Sequence, residues 1–157
     1  MKVKECTTDL SPYYSPGRRQ YDGNKILQLV TELSPQHAVK SLGLLKVDLF
    51  IPIFTYIFGQ ATFKGKTGIV SLYRLRNELY GLKQNYILQI ERLRKVVVHE
   101  LGHTFGLIHC FNPECVMRSS TYVEDLDQKG IHFCSHCAEE LSAISKMEHE
   151  GFRIKHP

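Results

Sequence analysis

The sequence predicts a layered α/β or α+β protein, in which helices pack on a sheet. Three observations indicate this class. A short helical repeat comes first, apolar segments rich in β-branched and aromatic residues follow, and a longer helical repeat precedes a cysteine-rich tail. This order of elements is typical of a sheet covered by helices.

The N-terminal half contains one predicted helix and three predicted strands. Residues 1–24 carry Ser-Pro and Pro-Gly turn signals and are predicted to be irregular. An apolar repeat between Asp22, a predicted N-cap, and Pro35 predicts the first helix. Three further apolar segments predict strands, over residues 47–58, 59–63 (an edge strand) and 69–75.

The longest helical repeat covers residues 82–103. Its apolar side chains recur at spacings of three and four and predict one stripe that faces the core, formed by Tyr86, Ile90, Leu93, Val97 and Leu101. The tail is predicted to be rich in loops, with a turn over 126–130. It ends in a helix over 138–148, whose predicted inward side chains are Leu141, Ile144 and Met147.

Length and composition exclude several classes of function. A chain of 157 residues with 43% apolar and 23% charged residues is ordinary for a single globular domain. No apolar segment is long enough to cross a bilayer, and the first residues form no apolar signal region. A cytoplasmic protein without a membrane partner is therefore expected. The net charge of +4 is mild and evenly spread, which argues against a nucleic-acid partner.

A metal-binding motif lies at the end of the long helical repeat. Residues 99–109 read His-Glu-Leu-Gly-His-Thr-Phe-Gly-Leu-Ile-His, which is H-E-x-x-H-x-x-G-x-x-H. His99 and His103 are about 6 Å apart along a helix axis, so both rings leave the same face. Gly106 allows a sharp turn that brings back His109 as a third ligand, and one position of a tetrahedral zinc ion stays open.

Glu100 follows the first histidine and reaches the metal site without being a ligand. Zinc lowers the pKa of a bound water to about 7, and Glu100 is predicted to accept the proton of that water as a general base. The predicted reaction is hydrolysis of peptide bonds. The alternative is a chance occurrence of the short motif, and the glycine and third histidine at the required spacing argue against it.

One methionine lies where a metzincin requires it. Metzincins are zinc peptidases with this long motif, and a methionine on a tight turn forms an apolar floor below their metal. Met117 comes eight residues after His109 and is predicted to be this Met-turn residue. The alternative is a methionine that only fills the core.

Four of the five cysteines cluster after the third histidine. Cys110 and Cys115 form one chelating pair, and Cys134 and Cys137 form the other. Four thiolates close a tetrahedral site, so a structural zinc is predicted, which gives two zinc ions per chain. Two disulfides or reactive thiols are the alternatives, and disulfides would require an oxidising compartment. Cys6 is predicted to be a free thiol.

Together, the histidine motif, the cysteine pairs and Met117 resemble the archaemetzincins, also called archaelysins. The similarity is continuous over residues 83–137 and extends to the segments 19–21 and 68–75. It implies a compact metzincin-like zincin core with a twisted mixed sheet, backing helices, an active-site helix below a cleft and a C-terminal four-cysteine zinc subdomain. In that family we expect a further strand and helix before residue 19.

The resemblance also implies roles for individual residues. The implied ligands of the catalytic zinc are His99, His103 and His109, with Glu100 as the base and Met117 on the Met-turn. The implied ligands of the structural zinc are Cys110, Cys115, Cys134 and Cys137. The strand near 59–63 would form the cleft edge, on which an extended peptide pairs.

The predicted organisation is one archaemetzincin-like catalytic domain over residues 1–157. Residues 1–109 form its sheet and helix part, which ends with the active-site helix and the third histidine. Residues 110–157 carry the Met-turn, the four-cysteine site and the last helix.

Two other functions compete with the predicted zinc metallopeptidase. A catalytically weak or inactive module would keep zinc and bind peptides as a scaffold, but it would need no base at Glu100. A nucleic-acid-binding zinc module would need a basic stripe with interleaved aromatic residues, which the sequence lacks. The expected partner is therefore a peptide or protein substrate, with no nucleic acid and no membrane, and the expected state is a monomer.

Overall fold

The computed structural model describes residues 2–153, and it describes the side chains as far as residue 146. Four α-helices are present in this part of the chain: α1 (Gly23–Leu33), α2 (Tyr86–Phe105), α3 (Val123–Gln128) and α4 (Ser135–Arg153). Its strands are β1 (Tyr14–Ser15), β2 (Gln20–Asp22), β3 (Ser41–Leu45), β4 (Leu49–Ile51), β5 (Phe54–Ile57), β6 (Gly59–Ala61) and β7 (Thr67–Ser71).

The strands form two small mixed sheets. The first has the order β1-β2-β4-β5, with β2 and β4 parallel and the other pairs antiparallel. The second has the order β3-β7-β6, in which β3 is parallel and β6 antiparallel to β7. Strand β6 therefore lies at an edge, as the sequence predicted for this segment.

Strand β7 is buried along its whole length between two helices. Because successive side chains of a strand point to opposite faces, Ile69 packs in a cluster with Ile26 of α1, and Val70 packs in a cluster with Val96 of α2. The result is a helix, sheet, helix layering. The mixed α and β architecture confirms the predicted fold class.

Helix α1 begins where the sequence predicted. The Asp22 carboxylate accepts hydrogen bonds from the amides of Asn24 and Lys25, which are free donors in the first turn. Helix α2 begins later than predicted, at Tyr86 instead of residue 82. Asn85 is its N-cap and accepts a bond from the Leu88 amide at 3.0 Å.

The predicted apolar stripe of α2 is wrong in its first turns. Tyr86 and Ile90 are 67% and 51% exposed, whereas Leu93 and Val97 pack against the core. The buried face in this region contains Arg92 instead. Its guanidinium donates to both carboxylate oxygens of Asp127 and to the Leu75 carbonyl, and these partners offset the cost of burying the charge.

Several other predicted boundaries also differ from the structure. The single strand over 47–58 is a hairpin of β4 and β5, because Pro52 has no N–H for the ladder and the chain turns there. The strand over 69–75 ends at Ser71 and is followed by a 3₁₀ turn. The N-terminal segment, predicted to be irregular, contains β1 and β2.

The tail contains more helix than predicted. The turn over 126–130 is occupied by helix α3, whose Asp125 carboxylate accepts bonds from the amides of Thr121 and Tyr122. Helix α4 begins at Ser135, before the predicted start at 138. Leu141 and Ile144 pack inward as predicted, and the side chain of Met147 lies outside the described residues.

A membrane crossing requires a helix that is both long and apolar. Over residues 2–153, no helix combines the length and the apolar character that a membrane crossing needs.

Candidate active site

Helix α2 and the turn after it bring three histidines together. His99 and His103 leave the same face of α2, and their ring centroids are 4.6 Å apart. The helix ends at Gly106, which has φ of +103°, a conformation that glycine adopts at little cost. The chain then turns back and places the His109 ring 5.3 Å from His99 and 4.9 Å from His103. One nitrogen from each ring lies within 4.8 Å of the others.

Backbone carbonyls orient the two helical histidines. Nδ1 of His99 donates to the Val116 carbonyl, and Nδ1 of His103 donates to the Leu107 carbonyl, both at 2.8 Å. Because a carbonyl only accepts, each ring carries its proton on Nδ1, and its Nε2 has a free lone pair. The two Nε2 atoms lie 3.1 Å apart. This arrangement, in which the outer nitrogen is fixed by a carbonyl, is typical of histidines that bind metal.

The electrostatics of the three rings also suit a metal. Burial, reinforced by the nearby charge of Lys129, lowers the pKa of His99 to about 3. Burial also lowers the pKa of His103 and of His109. The rings are therefore neutral at neutral pH, which is the form that binds zinc.

Glu100 lies against the edge strand of the second sheet. A Cβ built on Gly59 of β6 would come within 2.8 Å of the Glu100 Oε1 atom, so the carboxyl group packs directly on the strand backbone. Burial raises the pKa of Glu100 to about 8, and the charge of Lys129 opposes this rise. A metal cation on the adjacent histidines would further favour the ionised carboxylate.

The histidines and Glu100 line one wall of a cleft of about 390 Å³. Strand β6 borders the same cleft, and its outer edge has no strand partner among the described residues. Apolar and aromatic side chains cover most of the remaining wall, among them Ile51, Tyr56, Phe58, Phe63, Val96 and Leu126. The cleft therefore combines the histidines and Glu100 with an apolar wall and with the outer edge of β6.

Met117 lies beneath this part of α2. It is fully buried, and a Cβ on Gly102 would lie 2.5 Å from its sulfur atom. Gly102 stands between the two helical histidines in the sequence, so the thioether occupies the space that a larger residue would take. The Met117 carbonyl accepts a 3.0 Å bond from the Cys110 amide.

The four clustered cysteines meet next to Met117, in the same buried cluster. Their sulfur atoms all lie within 4.8 Å of one another, and none of the four forms a disulfide. The amides of Asn112 and Cys134 point at the sulfurs of Cys110 and Cys115, both at 3.4 Å. Four sulfurs with amide donors around them fit a tetrahedral zinc ion. Cys6, by contrast, is exposed and free, as predicted.

Comparisons with known proteins decide the family. The model of peptidase family M54 matches residues 8–143. The archaemetzincin of Sulfolobus acidocaldarius is 46% identical over 132 residues, which cover 82% of this chain and 72% of the relative. The chain belongs to peptidase family M54, the archaemetzincins.

Solved structures agree with this assignment. The crystal structure of the Methanopyrus kandleri archaemetzincin aligns with a TM-score of 0.78 at 36% identity and covers 86% of this chain and 71% of its own. The structure of a zinc-dependent peptidase from Methanocorpusculum labreanum aligns with a TM-score of 0.81 at 31% identity, covering 88% and 83%. The predicted resemblance is confirmed, and with it the assignment of this archaemetzincin as a zinc metallopeptidase.

Sequence reasoning missed one charged residue of the site. Lys129 directly follows α3 and is only 3% exposed. Its Nζ donates to the Arg118 carbonyl at 2.7 Å and lies 3.5 Å from Nδ1 of His99. A lysine in a short polar segment is typical of an exposed turn, and no local pattern distinguishes it.

Two glycines of the site were also missed. Gly59 leaves room for the Glu100 carboxyl group, and Gly102 leaves room for Met117. Gly102 occupies an unspecified position of the histidine motif, so the motif gives no reason for it. Only the packing of other segments against these positions shows why a side chain does not fit.

Replacement of Gly59 tests where the Glu100 carboxyl group lies. A methyl group in Gly59→Ala would press on the Glu100 side chain and on the Ile69 carbonyl, each at 2.8 Å. Because a displacement of about 1 Å at a reacting group lowers a rate about 10²-fold, we expect peptide hydrolysis to fall by about that factor. Zinc content should stay native, since no metal-binding nitrogen is touched. Gly17→Ala, at a site with no atom within 4 Å, is the control. Native hydrolysis by Gly59→Ala would contradict the placement of Glu100.

Proposed function

We propose that this archaemetzincin cleaves peptide bonds at a zinc ion held by His99, His103 and His109, with Glu100 as the general base. The observation that carries the proposal is the convergence of three neutral imidazoles beside a carboxyl group on the wall of a cleft. The zinc-dependent peptidase from Methanocorpusculum labreanum, which shares the fold, supports the choice of metal.

Zinc in this position would act as a Lewis acid and make an attacking water more acidic. The chain supplies the remaining functions. Glu100 follows a ligand residue in the sequence but points to the β6 side, so it accepts a proton from the attacking water without binding the metal. The same carboxyl group then donates that proton to the amine that leaves.

Strand β6 is the proposed binding edge for the substrate. Its inner edge pairs with β7 through Gly59, Gln60 and Ala61, and its outer edge is free among the described residues. An extended peptide adds to such an edge through main-chain hydrogen bonds. Glu100 packs on Gly59, so a peptide on β6 would pass directly in front of the proposed base.

We further propose that the cysteine cluster holds a second, structural zinc, which gives two ions per chain. The support is its closed set of four sulfurs, two of them on buried residues, Cys115 and Cys137. A closed tetrahedral set leaves no position for substrate. A zinc ion there would join the turn that carries Met117 to the first turn of α4.

A test of the base compares Glu100→Ala with the native protein. Glu100 is not a proposed ligand, so the variant should keep its zinc and bind the same peptides. Hydrolysis should fall by about 10² to 10⁴-fold, the usual contribution of a general base. Glu91→Ala, which removes an exposed carboxylate of the same helix, is the matched control.

The readout is cleavage of a peptide library by protein of measured zinc content. A library that native, zinc-loaded protein leaves intact would contradict the peptidase proposal and favour a peptide-binding scaffold. Equal cleavage by Glu100→Ala and native protein would leave the peptidase in place but remove Glu100 from its mechanism.

A second test separates the two metal sites by stability. Cys134→Ala opens the closed site, and because structural zinc contributes folding free energy, its melting temperature should fall sharply. His109 is exposed and lies after α2, so His109→Ala should lose the catalytic metal and keep most of the fold. Thermal unfolding gives the melting temperatures of both variants. Equal decreases would show that the structural and catalytic roles of the two sites are misassigned.

A further inference from the structure

Lys129 is a buried lysine without an ion pair. Among the described residues, no carboxylate oxygen lies within 4.0 Å of its Nζ, although the side chain is 3% exposed. Burial of an unpaired ammonium is costly. Its Nζ donates instead to a neutral acceptor, the Arg118 carbonyl, at 2.7 Å. This cost indicates a role beyond packing.

The carbonyl that accepts from Lys129 belongs to the segment that forms the floor of the site, Val116–Met117–Arg118. Its first carbonyl, on Val116, accepts the Nδ1 proton of His99, and its last, on Arg118, accepts the Nζ proton of Lys129. Met117 lies between them, packed on Gly102. The two side chains therefore hold the two ends of the floor segment, and their nitrogens are 3.5 Å apart.

The backbone next to Lys129 is tied to the same region. The Gly130 amide donates to the Glu114 carbonyl, and the Val116 amide donates to the His132 carbonyl, each at 2.9 Å. A side chain at position 130 would meet the Glu114 carbonyl at 2.7 Å, so this approach requires glycine. Hydrogen bonds therefore hold the backbone beside Lys129, and its side chain donates to the Arg118 carbonyl of the floor segment.

We propose that Lys129 is a positioning residue of the metal centre, which holds the floor segment so that the Val116 carbonyl orients the His99 ring. The inference rests on the proposed function, because it takes His99 as a zinc ligand. Lys129 acts through the floor segment and His99 and is not placed on the substrate.

The charge of Lys129 and its proposed positioning role predict opposite changes in zinc affinity when this lysine is removed. A cation 3.5 Å from a ligand ring repels a metal ion, so its removal would, by charge alone, tighten zinc binding. Loss of an outer partner of a metal ligand instead weakens metal affinity or activity by about 10 to 100-fold. The sign of the change therefore decides between the two effects.

The experiment uses Lys129→Met, which keeps the length of the side chain and removes its donor. Lys95→Met is the matched control, because Nζ of Lys95 also donates to a backbone carbonyl, that of Leu126 at 2.7 Å, without touching a histidine ring. With the cysteine site filled by zinc, the affinity of the histidine site is measured by chelator competition. Co²⁺ then replaces zinc at that site, and its visible d–d spectrum reports the ligand geometry.

We expect Lys129→Met to bind zinc about 10 to 100-fold more weakly and to show an altered Co²⁺ spectrum, with kcat reduced more than KM changes. Lys95→Met should match the native protein in zinc affinity, in its Co²⁺ spectrum and in its kinetic constants. Unchanged or tighter zinc binding by Lys129→Met, a native spectrum, or the same changes in Lys95→Met would overturn the inference. If Lys129→Met does not fold, Lys129→Leu, which also lacks a donor, replaces it with the same criteria.

A preliminary measurement separates this inference from the proposed function. Native protein must bind Co²⁺ at a site that His109→Ala lacks. If it does not, the proposed metal centre fails, and the inference falls with it. If it does, and Lys129→Met behaves like the native protein, only the role of Lys129 is wrong.

Discussion

The left-handed turn at Gly106 is the constraint on which the site depends. It ends α2 three residues after the second histidine and sends the chain back under the helix, where the Leu107 carbonyl accepts the Nδ1 proton of His103. The turn is held from outside as well, because the His103 carbonyl accepts a 3.1 Å bond from the Lys64 amide. His109 then faces the helical histidines, and Cys110 enters the second cluster. One backbone conformation thus connects both proposed metal sites.

The histidine centre could be predicted because the local backbone geometry of residues 99–109 determines it. The helical period places His99 and His103 on one face, and a glycine three residues later permits the turn that returns His109. The sequence also predicted α1, since its N-cap Asp22 lies beside the helix that it stabilises.

The burial of two charged residues could not be predicted, because it depends on contacts with other segments. Arg92 is buried because Asp127, 35 residues along the chain, supplies its carboxylate, and Lys129 is buried because the floor segment supplies a carbonyl. Neither pair lies within one helix or strand, so no periodic pattern connects its members.

The packing of helices and strands around β7 determines where the walls of the cleft lie. Strand β7, packed between α1 and α2, fixes the distance from the sheet to the active-site helix, and β6 extends from it as the edge beside Glu100. Family membership confirms the fold class and the zinc metallopeptidase assignment. The division at residue 109 and the individual ligands remain predictions. The close packing at Gly59 and Gly102 leaves no room for a side chain at either position.

The most direct test of the central claim is zinc X-ray absorption on native protein and on His109→Ala. The account predicts two zinc ions in the native chain, with scattering from sulfur at about 2.3 Å and from nitrogen at about 2.0 to 2.1 Å. In His109→Ala the sulfur shell should remain while the nitrogen shell and one equivalent of zinc are lost. A native protein with one zinc ion surrounded only by sulfur would contradict the account, because the histidines would then hold no metal.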